Sequence, residues 1–189
     1  MKLLLHCCCG PCTTSVADHY RARGDAVTGW FFNPNLHPEE EWERRRRAFD
    51  QAAEALGLAT RPAETELTFV DFLLAVARGT GRRCEACYRL RLEATAREAA
   101  ASGHDSFATT LTISPYQNLE AIQRIGEEVA AQTGVEFAFV DLRDRYSESR
   151  ARARSLGLYL QNYCGCLFSA LERAEQRAQR AVARVLAKA

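Results

Sequence analysis

The sequence has no long apolar run. After Lys2 only Leu3, Leu4 and Leu5 follow before His6 interrupts, far short of the roughly 18 apolar residues of a membrane span. The stretch is also too short for a signal-peptide core, and no small-residue cleavage site follows it. An excess of one charge is missing as well. Lys+Arg 25 against Asp+Glu 24 leaves a net charge of +1, so total charge does not indicate a broadly basic nucleic-acid binder, while local basic patches stay open. Glycine motifs that cradle phosphates are absent too. No G-x-G-x-x-G follows a candidate strand and no G-x-x-x-x-G-K-[ST] occurs, which leaves a bound nicotinamide or nucleotide hydrolysis without support. These absences point to a cytoplasmic protein with no membrane partner.

What is present in quantity is sulfur. In the cytoplasm thiols stay reduced, so the eight cysteines read as ligands or catalysts rather than disulfides. They fall into three groups: Cys7-Cys8-Cys9-x-x-Cys12, Cys84-x-x-Cys87 and Cys164-x-Cys166. Such spacings let two thiolates reach one metal from a turn or helix start. Cys12 and Cys87 are expected near helix N-termini, where the dipole lowers a thiol's pKa. Cys7 fits the strand as a small buried apolar residue. The other seven exceed the four thiolates of one tetrahedral or cubane site. Either two metals share them or one cluster sits beside reactive thiols.

The 189 residues, 47% apolar and 26% charged, suit one globular domain spanning 1–189. Strand and helix alternate along it. LLLHCC reads as a buried strand, followed by a helix with Thr13 as N-cap. AVTGWFF is a second strand. A long helix starts at Pro38, with Glu39, Glu40 and Glu41 in its first turn, and runs to Gly57. A short strand is expected over 58–62, then a helix over FVDFLLAVA and another over CEACYRLRLEATAREAAA. SFATTLTI reads as a strand leading into a helix with Ser114, Pro115 and Gln117 at N-cap, N1 and N3. VEFAFVDL is a last strand, SESRARARSLG a short helix. A final helix from Cys166 carries an apolar stripe of Leu167, Leu171, Ala174, Ala178, Val182 and Val185. The fold class is α/β, a parallel sheet sandwiched by helices. Ligands in such sheets bind beyond the carboxyl ends of the strands, which is where CCCGPC stands.

Five segments, LLHCCCGPCTT, FFNPNLHPEEEWERR, RRCEACYRLRL, TTLTISPYQN and LGLYLQNYCGCLFS, together resemble the QueH-type epoxyqueuosine reductases over nearly the whole chain. The resemblance implies a Rossmann-like sheet of the adenine-nucleotide alpha-hydrolase-like kind. It implies reduction of the epoxide of epoxyqueuosine, at the wobble position of the tRNA anticodon, to queuosine. It also implies a cysteine-ligated [4Fe-4S] cluster and a second mononuclear metal ion, iron or zinc. The family motif H-x-C-C-x-P-C lands on His6, Cys8, Cys9 and Cys12 with Cys7 at the free position; later motifs supply Cys84, Cys87, Cys164 and Cys166. Some family members carry Asp for a first-motif cysteine, which makes Cys12 a ligand of the second metal. The resemblance leaves open which four thiolates hold the cluster.

Removing an epoxide oxygen needs two electrons and, formally, two protons. No side chain supplies the electrons, so an external donor is expected to feed them through the cluster, with the second metal polarising the oxygen. Tyr116, Gln117 and His6 are the catalytic candidates; Asn33, Asn35, Ser114, Tyr159 and Gln161 are the substrate-binding ones, with His37 and Tyr163 nearby. Each has a plainer reading: His6 as a core histidine, Asn33 and Asn35 as a turn, Ser114 and Gln117 as caps, Tyr159 as packing beneath Cys164. Arg44 to Arg47, Arg150, Arg154 and the last helix's arginines are solvated faces or a phosphate-contacting collar for the tRNA. A monomer is expected. Three other functions stay open: an iron–sulfur-dependent tRNA sulfur-transfer enzyme, a thiol–disulfide oxidoreductase and a non-catalytic zinc-stabilised RNA-binding module. The first is weakened because HCCCGPC stands where an S-G-G-x-D-S phosphate loop belongs.

Overall fold

The computed structural model describes residues 1–63, 67–79 and 82–187. Among these residues five strands, β1 (Lys2–His6), β2 (Ala26–Trp30), β3 (Ala59–Arg61), β4 (Ser106–Thr109) and β5 (Glu136–Phe137), form one sheet in the order β3-β2-β1-β4-β5. Every pairing is parallel. Among the described residues seven α-helices connect and cover it: α1 (Gly10–Ala22), α2 (Glu39–Leu56), α3 (Phe69–Arg78), α4 (Arg83–Ala101), α5 (Leu119–Thr133), α6 (Tyr146–Ser155) and α7 (Leu167–Leu186). Among the described residues no helix is long and apolar enough to cross a membrane.

The three leucines of β1 show why both faces are covered. Side chains alternate along a strand. Leu3 and Leu5 pack with Val16, Tyr20, Phe49 and Ala53 of α1 and α2. Leu4 points the other way, among Leu92, Ile122, Ile125 and Val129 of α4 and α5. All three are fully buried, so a continuous apolar triplet suits this strand better than an alternating one.

Two strands are shorter than SFATTLTI and VEFAFVDL suggest. β4 stops at Thr109 because Thr109 Oγ1 accepts from Leu111 N at 3.2 Å and Thr112 Oγ1 donates back to Thr109 O at 3.2 Å. These local bonds compete with the ladder and wind Thr110–Ile113 into a 3-10 turn. β5 then loses its neighbour; its register runs only along Ser106 and Phe107. Two caps also differ from expectation. Cys9, not Thr13, caps α1, its Sγ accepting from Cys12 N at 3.4 Å. Asn118, not Ser114, caps α5, its Oδ1 accepting from Ala121 N at 3.1 Å. The residues from Ser114 to Gln117 make a turn before it, with Gln117 N donating to Ser114 O. On α7 the apolar stripe is left uncovered: Leu171, Val182 and Val185 are exposed.

Candidate functional site

The strand order reverses beside β1, and β1 and β4 end together there, the usual ligand-binding crevice of such sheets. His6 and Thr109, the last residues of the two strands, are register partners. The chain then diverges into Cys7–Cys9 on one side and the Thr110 turn on the other. Thr110 Oγ1 joins them, accepting from Cys8 N at 2.9 Å and donating to Cys8 Sγ at 3.2 Å.

The sulfurs of Cys8, Cys9 and Cys12 lie within 4.8 Å of one another, and among the described residues this is the group of donors close enough to share one metal ion. Cys8 and Cys9 Sγ are 3.7 Å apart. An ion with tetrahedral metal–sulfur bonds of about 2.3 Å sets its sulfurs about 3.8 Å apart, so that pair already stands at ligand spacing. Hydrogen bonds from Cys12 and Cys9 hold the Cys8 thiol well below its ordinary range. Donating that bond pushes Cys12 up, and burial pushes Cys9 up. Cys7 lies outside this group: its Sγ donates to Leu5 O at 3.3 Å, and burial pushes its thiol up to about 12.

Four more cysteines line a second space. Cys84 and Cys87 come from the first turns of α4, Cys164 and Cys166 from the loop before α7, and Phe72 of α3 packs against Cys87 and Cys166. With Arg83, Tyr88, Arg91 and Gln117 they line one small space. Cys84 and Cys164 are exposed at its mouth; Cys87 and Cys166 are buried. The expected depression of Cys12 and Cys87 by helix N-termini is not found. Cys87 is the fifth residue of α4, past the turn where the dipole acts, and burial pushes its thiol up to about 12.

The C-G-C loop is held from α2. Arg45 Nη1 donates to Cys164 O at 2.8 Å and Nη2 to Tyr163 O at 2.9 Å, while Nε donates to Glu41 Oε1 at 2.7 Å. Gly165 between the cysteines has φ +116, and a Cβ there would stand 2.4 Å from Leu36 Cδ2 and 2.8 Å from Arg45 Nη1. Only glycine passes.

The polar candidates divide by position. Gln117 lines the four-cysteine space, its Nε2 3.8 Å from Cys164 Sγ and its Oε1 accepting from Tyr88 Oη at 2.8 Å. Gln161 reaches the other group, Nε2 to Cys9 Sγ at 2.8 Å, with its buried Oε1 unpartnered. Tyr159 Oη donates to Glu41 Oε2 at 2.7 Å, beneath the cysteine loop. Tyr163 Oη donates to His37 O at 3.1 Å, and the His37 ring stacks on Phe69. Asn33 Nδ2 donates to Cys7 O at 2.9 Å; Asn33 and Asn35 are both buried, each with an unpartnered Oδ1. Ser114 Oγ accepts from Tyr116 N at 3.3 Å. Tyr116 itself is 81% exposed and meets the Tyr146 ring edge-on, outside the thiol-lined space.

His6 is fully buried. Its Nε2 faces only a carbonyl, Phe32 O at 2.9 Å, and so carries the proton; Nδ1, 2.8 Å from Thr109 Oγ1, accepts. Burial, with Arg91 second, lowers its pKa to about 4. Both nitrogens are thereby engaged within the core.

Two site residues escaped the sequence reading. Arg45 hides in the run Arg44 to Arg47, but it alone stands four after Glu41, on the same face, and is 2% exposed. Its neighbours stay outside: Arg46 pairs with Asp50, Arg47 with Glu43, and Arg44 lies over the Tyr159 ring. Arg91 stands four after Cys87 and seven after Cys84, also one helix face, and is 2% exposed. It lines the four-cysteine space, and its guanidinium interacts electrostatically with Cys87, Cys164 and Cys8.

Residues 3–172 match the family model described as epoxyqueuosine reductase QueH. The chain is 41% identical over 186 residues to the epoxyqueuosine reductase QueH of Thermotoga maritima, covering 94% of each. It is 38% identical over 174 residues to that of Dehalococcoides mccartyi, covering 91% of this chain and 94% of the relative. A solved structure of a predicted subunit of tRNA methyltransferase from Methanocaldococcus jannaschii superposes with TM-score 0.53 at 13% identity, over 82% of this chain and 74% of that one. That likeness shows the parallel α/β fold alone.

Proposed function

This chain belongs to the epoxyqueuosine reductase QueH family and is thereby an oxidoreductase; we propose that it reduces the epoxide of epoxyqueuosine in the tRNA anticodon at the thiol-lined carboxyl edge of its sheet. The observation that carries the reading is the convergence of the 84–87 and 164–166 cysteine segments on one space, with Gln161 of the neighbouring loop reaching Cys9 in the Cys8, Cys9 and Cys12 group.

The donor chemistry fits two inorganic groups. Cys8, Cys9 and Cys12 are spaced for one ion and are the proposed ligands of the second metal, iron or zinc. Cys84, Cys87, Cys164 and Cys166 line one space together and are the proposed ligands of the [4Fe-4S] cluster, which takes four thiolates. Bound there, these groups supply the electrons and Lewis acidity that no side chain offers.

The remaining work falls to side chains. Tyr88, its hydroxyl pushed up to about 12 by burial, stays protonated and fixes the Gln117 amide, so that Nε2 faces Cys164. Gln117 is the proposed catalytic contact to the substrate's polar edge, and Gln161 a second contact beside Cys9. Exposed Tyr116 is the proposed platform on which an anticodon base stacks. His6, Asn33 and Tyr159 brace the site through Thr109 and Phe32, through Cys7 O and through Glu41, while Ser114 and Asn35 are proposed substrate contacts. One sheet joining all strands supports a single reductase domain over residues 1–189, read as a cytoplasmic monomer served by an external electron donor.

Metal analysis of anaerobically purified protein tests the division. The wild type should be brown, with broad visible absorbance. Cys84→Ser should lose that absorbance, and Cys12→Ser should keep it while losing the other metal. A colourless protein holding only zinc would favour a zinc-stabilised RNA-binding module; a metal-free one, a thiol–disulfide oxidoreductase.

A further inference from the structure

A buried guanidinium normally meets a carboxylate, because an unpaired buried charge costs several kcal/mol. Arg45 obeys the rule through Glu41. Arg91 does not: it is 2% exposed and no carboxylate pairs with it among the described residues. Its Nε donates weakly to Cys87 O at 3.3 Å within α4, and Nη2 is buried with no hydrogen-bond partner. Its electrostatic neighbours are the sulfurs of Cys87, Cys164 and Cys8, with Tyr88 after them. It also lines the four-cysteine space.

We propose that Arg91 is the fixed counter-charge of the four-cysteine space, a positioning residue that raises the reduction potential of the metal group held there. The assignment rests on the metal-holding reading above. Two features of the geometry carry it. The buried guanidinium lines the four-cysteine space, so one fixed cation offsets negative charge held there. Its free Nη2 has donor capacity that no protein atom uses, and sulfur is the acceptor chemistry lining the space it enters. A fixed positive charge in a low-dielectric site favours the state with one more electron. Removing it makes reduction harder, so the potential falls. Arginine also suits this place better than lysine as a residue that stays charged when buried.

The test compares wild type, Arg91→Lys, Arg91→Gln and Arg91→Met, each reconstituted anaerobically with iron and sulfide. Iron content is counted, folding is checked by circular dichroism, and the midpoint potential is read by spectroelectrochemical titration. Arg91→Gln and Arg91→Met should bind iron with a reduction equilibrium at least about tenfold less favourable, about 59 mV lower for one electron. Arg91→Lys should recover most of that shift. A folded Arg91→Gln or Arg91→Met protein with full iron content and the wild-type potential overturns the assignment. If Arg91→Gln fails to fold, Arg91→Met decides, since an apolar replacement removes the burial cost of an unpaired polar group. A wild type that takes up no iron would instead sink the underlying reading, and is told apart because the defect is then independent of residue 91.

Discussion

Arg45 and Cys164 are 119 residues apart in the chain, yet Arg45 Nη1 donates to the Cys164 carbonyl at 2.8 Å. One side chain on α2 thereby holds the loop that delivers two of the seven thiols. Arg45→Met removes that bond, the bond to Tyr163 O and the partner of buried Glu41. Breaking one side of a buried pair costs about 3–5 kcal/mol, so urea unfolding should show a loss of that order. Iron content should fall with it. Arg45→Lys keeps the charge but not the three-way fork, and should recover only part of either quantity. Wild-type stability in Arg45→Met would show that the loop is held elsewhere.

The first cysteine group depends on a close backbone approach. A Cβ on Gly10 would stand 2.1 Å from Ala48 O and 2.5 Å from Ala48 C. Backbone atoms of a packed helix yield little, so Gly10→Ala should push α1 away from α2, at a cost of about 1–3 kcal/mol or more. Because Gly10 follows the Cys9 cap directly, the three-sulfur spacing should loosen too. Thermal unfolding and metal content of the variant check both effects; an unchanged melting temperature would contradict the contact.

Cys7 separates sulfur that packs from sulfur that binds. It is fully buried and bonded to Leu5 O. Cys7→Ala should cost about 1 kcal/mol for the lost bond and packing and leave metal content at the wild-type level. Cys8→Ser or Cys9→Ser should reduce metal content sharply. Equal loss in Cys7→Ala would place its thiol in the centre.

The buried neutral His6 makes stability depend on acid. Its folded pKa of about 4 lies below the ordinary value of 6.5, so the unfolded chain binds the proton more readily between those values. His6's contribution is complete above pH 6.5 and is lost as pH falls toward 4, about 3 kcal/mol in all at 1.36 kcal/mol per unit. Urea unfolding at pH 7 and pH 5 should show a decline that His6→Gln flattens. An equally steep decline in His6→Gln would assign the acid sensitivity to other groups.

The sheet and the sulfur were legible from local pattern. A triple leucine run flanked by helical segments reads as a doubly covered parallel strand, and Cys-x-x-Cys and Cys-x-Cys spacings read as ligand pairs whatever surrounds them. What was not legible depended on competition between neighbours. Ser114, Pro115 and Gln117 satisfy a capping pattern, but the 3-10 turn at Thr110–Ile113 moves the helix start to Asn118. That shift turns adjacent Tyr116 and Gln117 to opposite fates, one exposed and one lining the sulfur space. Arg45 and Arg91 read as surface charge because arginine usually is; their periodicity against Glu41 and Cys87 was the available signal.

The most direct test of the account is an anaerobic assay of the iron- and sulfide-reconstituted protein on tRNA bearing epoxyqueuosine, with a chemical reductant as electron source and the nucleosides resolved by mass spectrometry. Conversion to queuosine is expected, abolished in Cys164→Ser. Epoxyqueuosine left intact by a brown, iron-loaded wild type, or full conversion by Cys164→Ser, would contradict it.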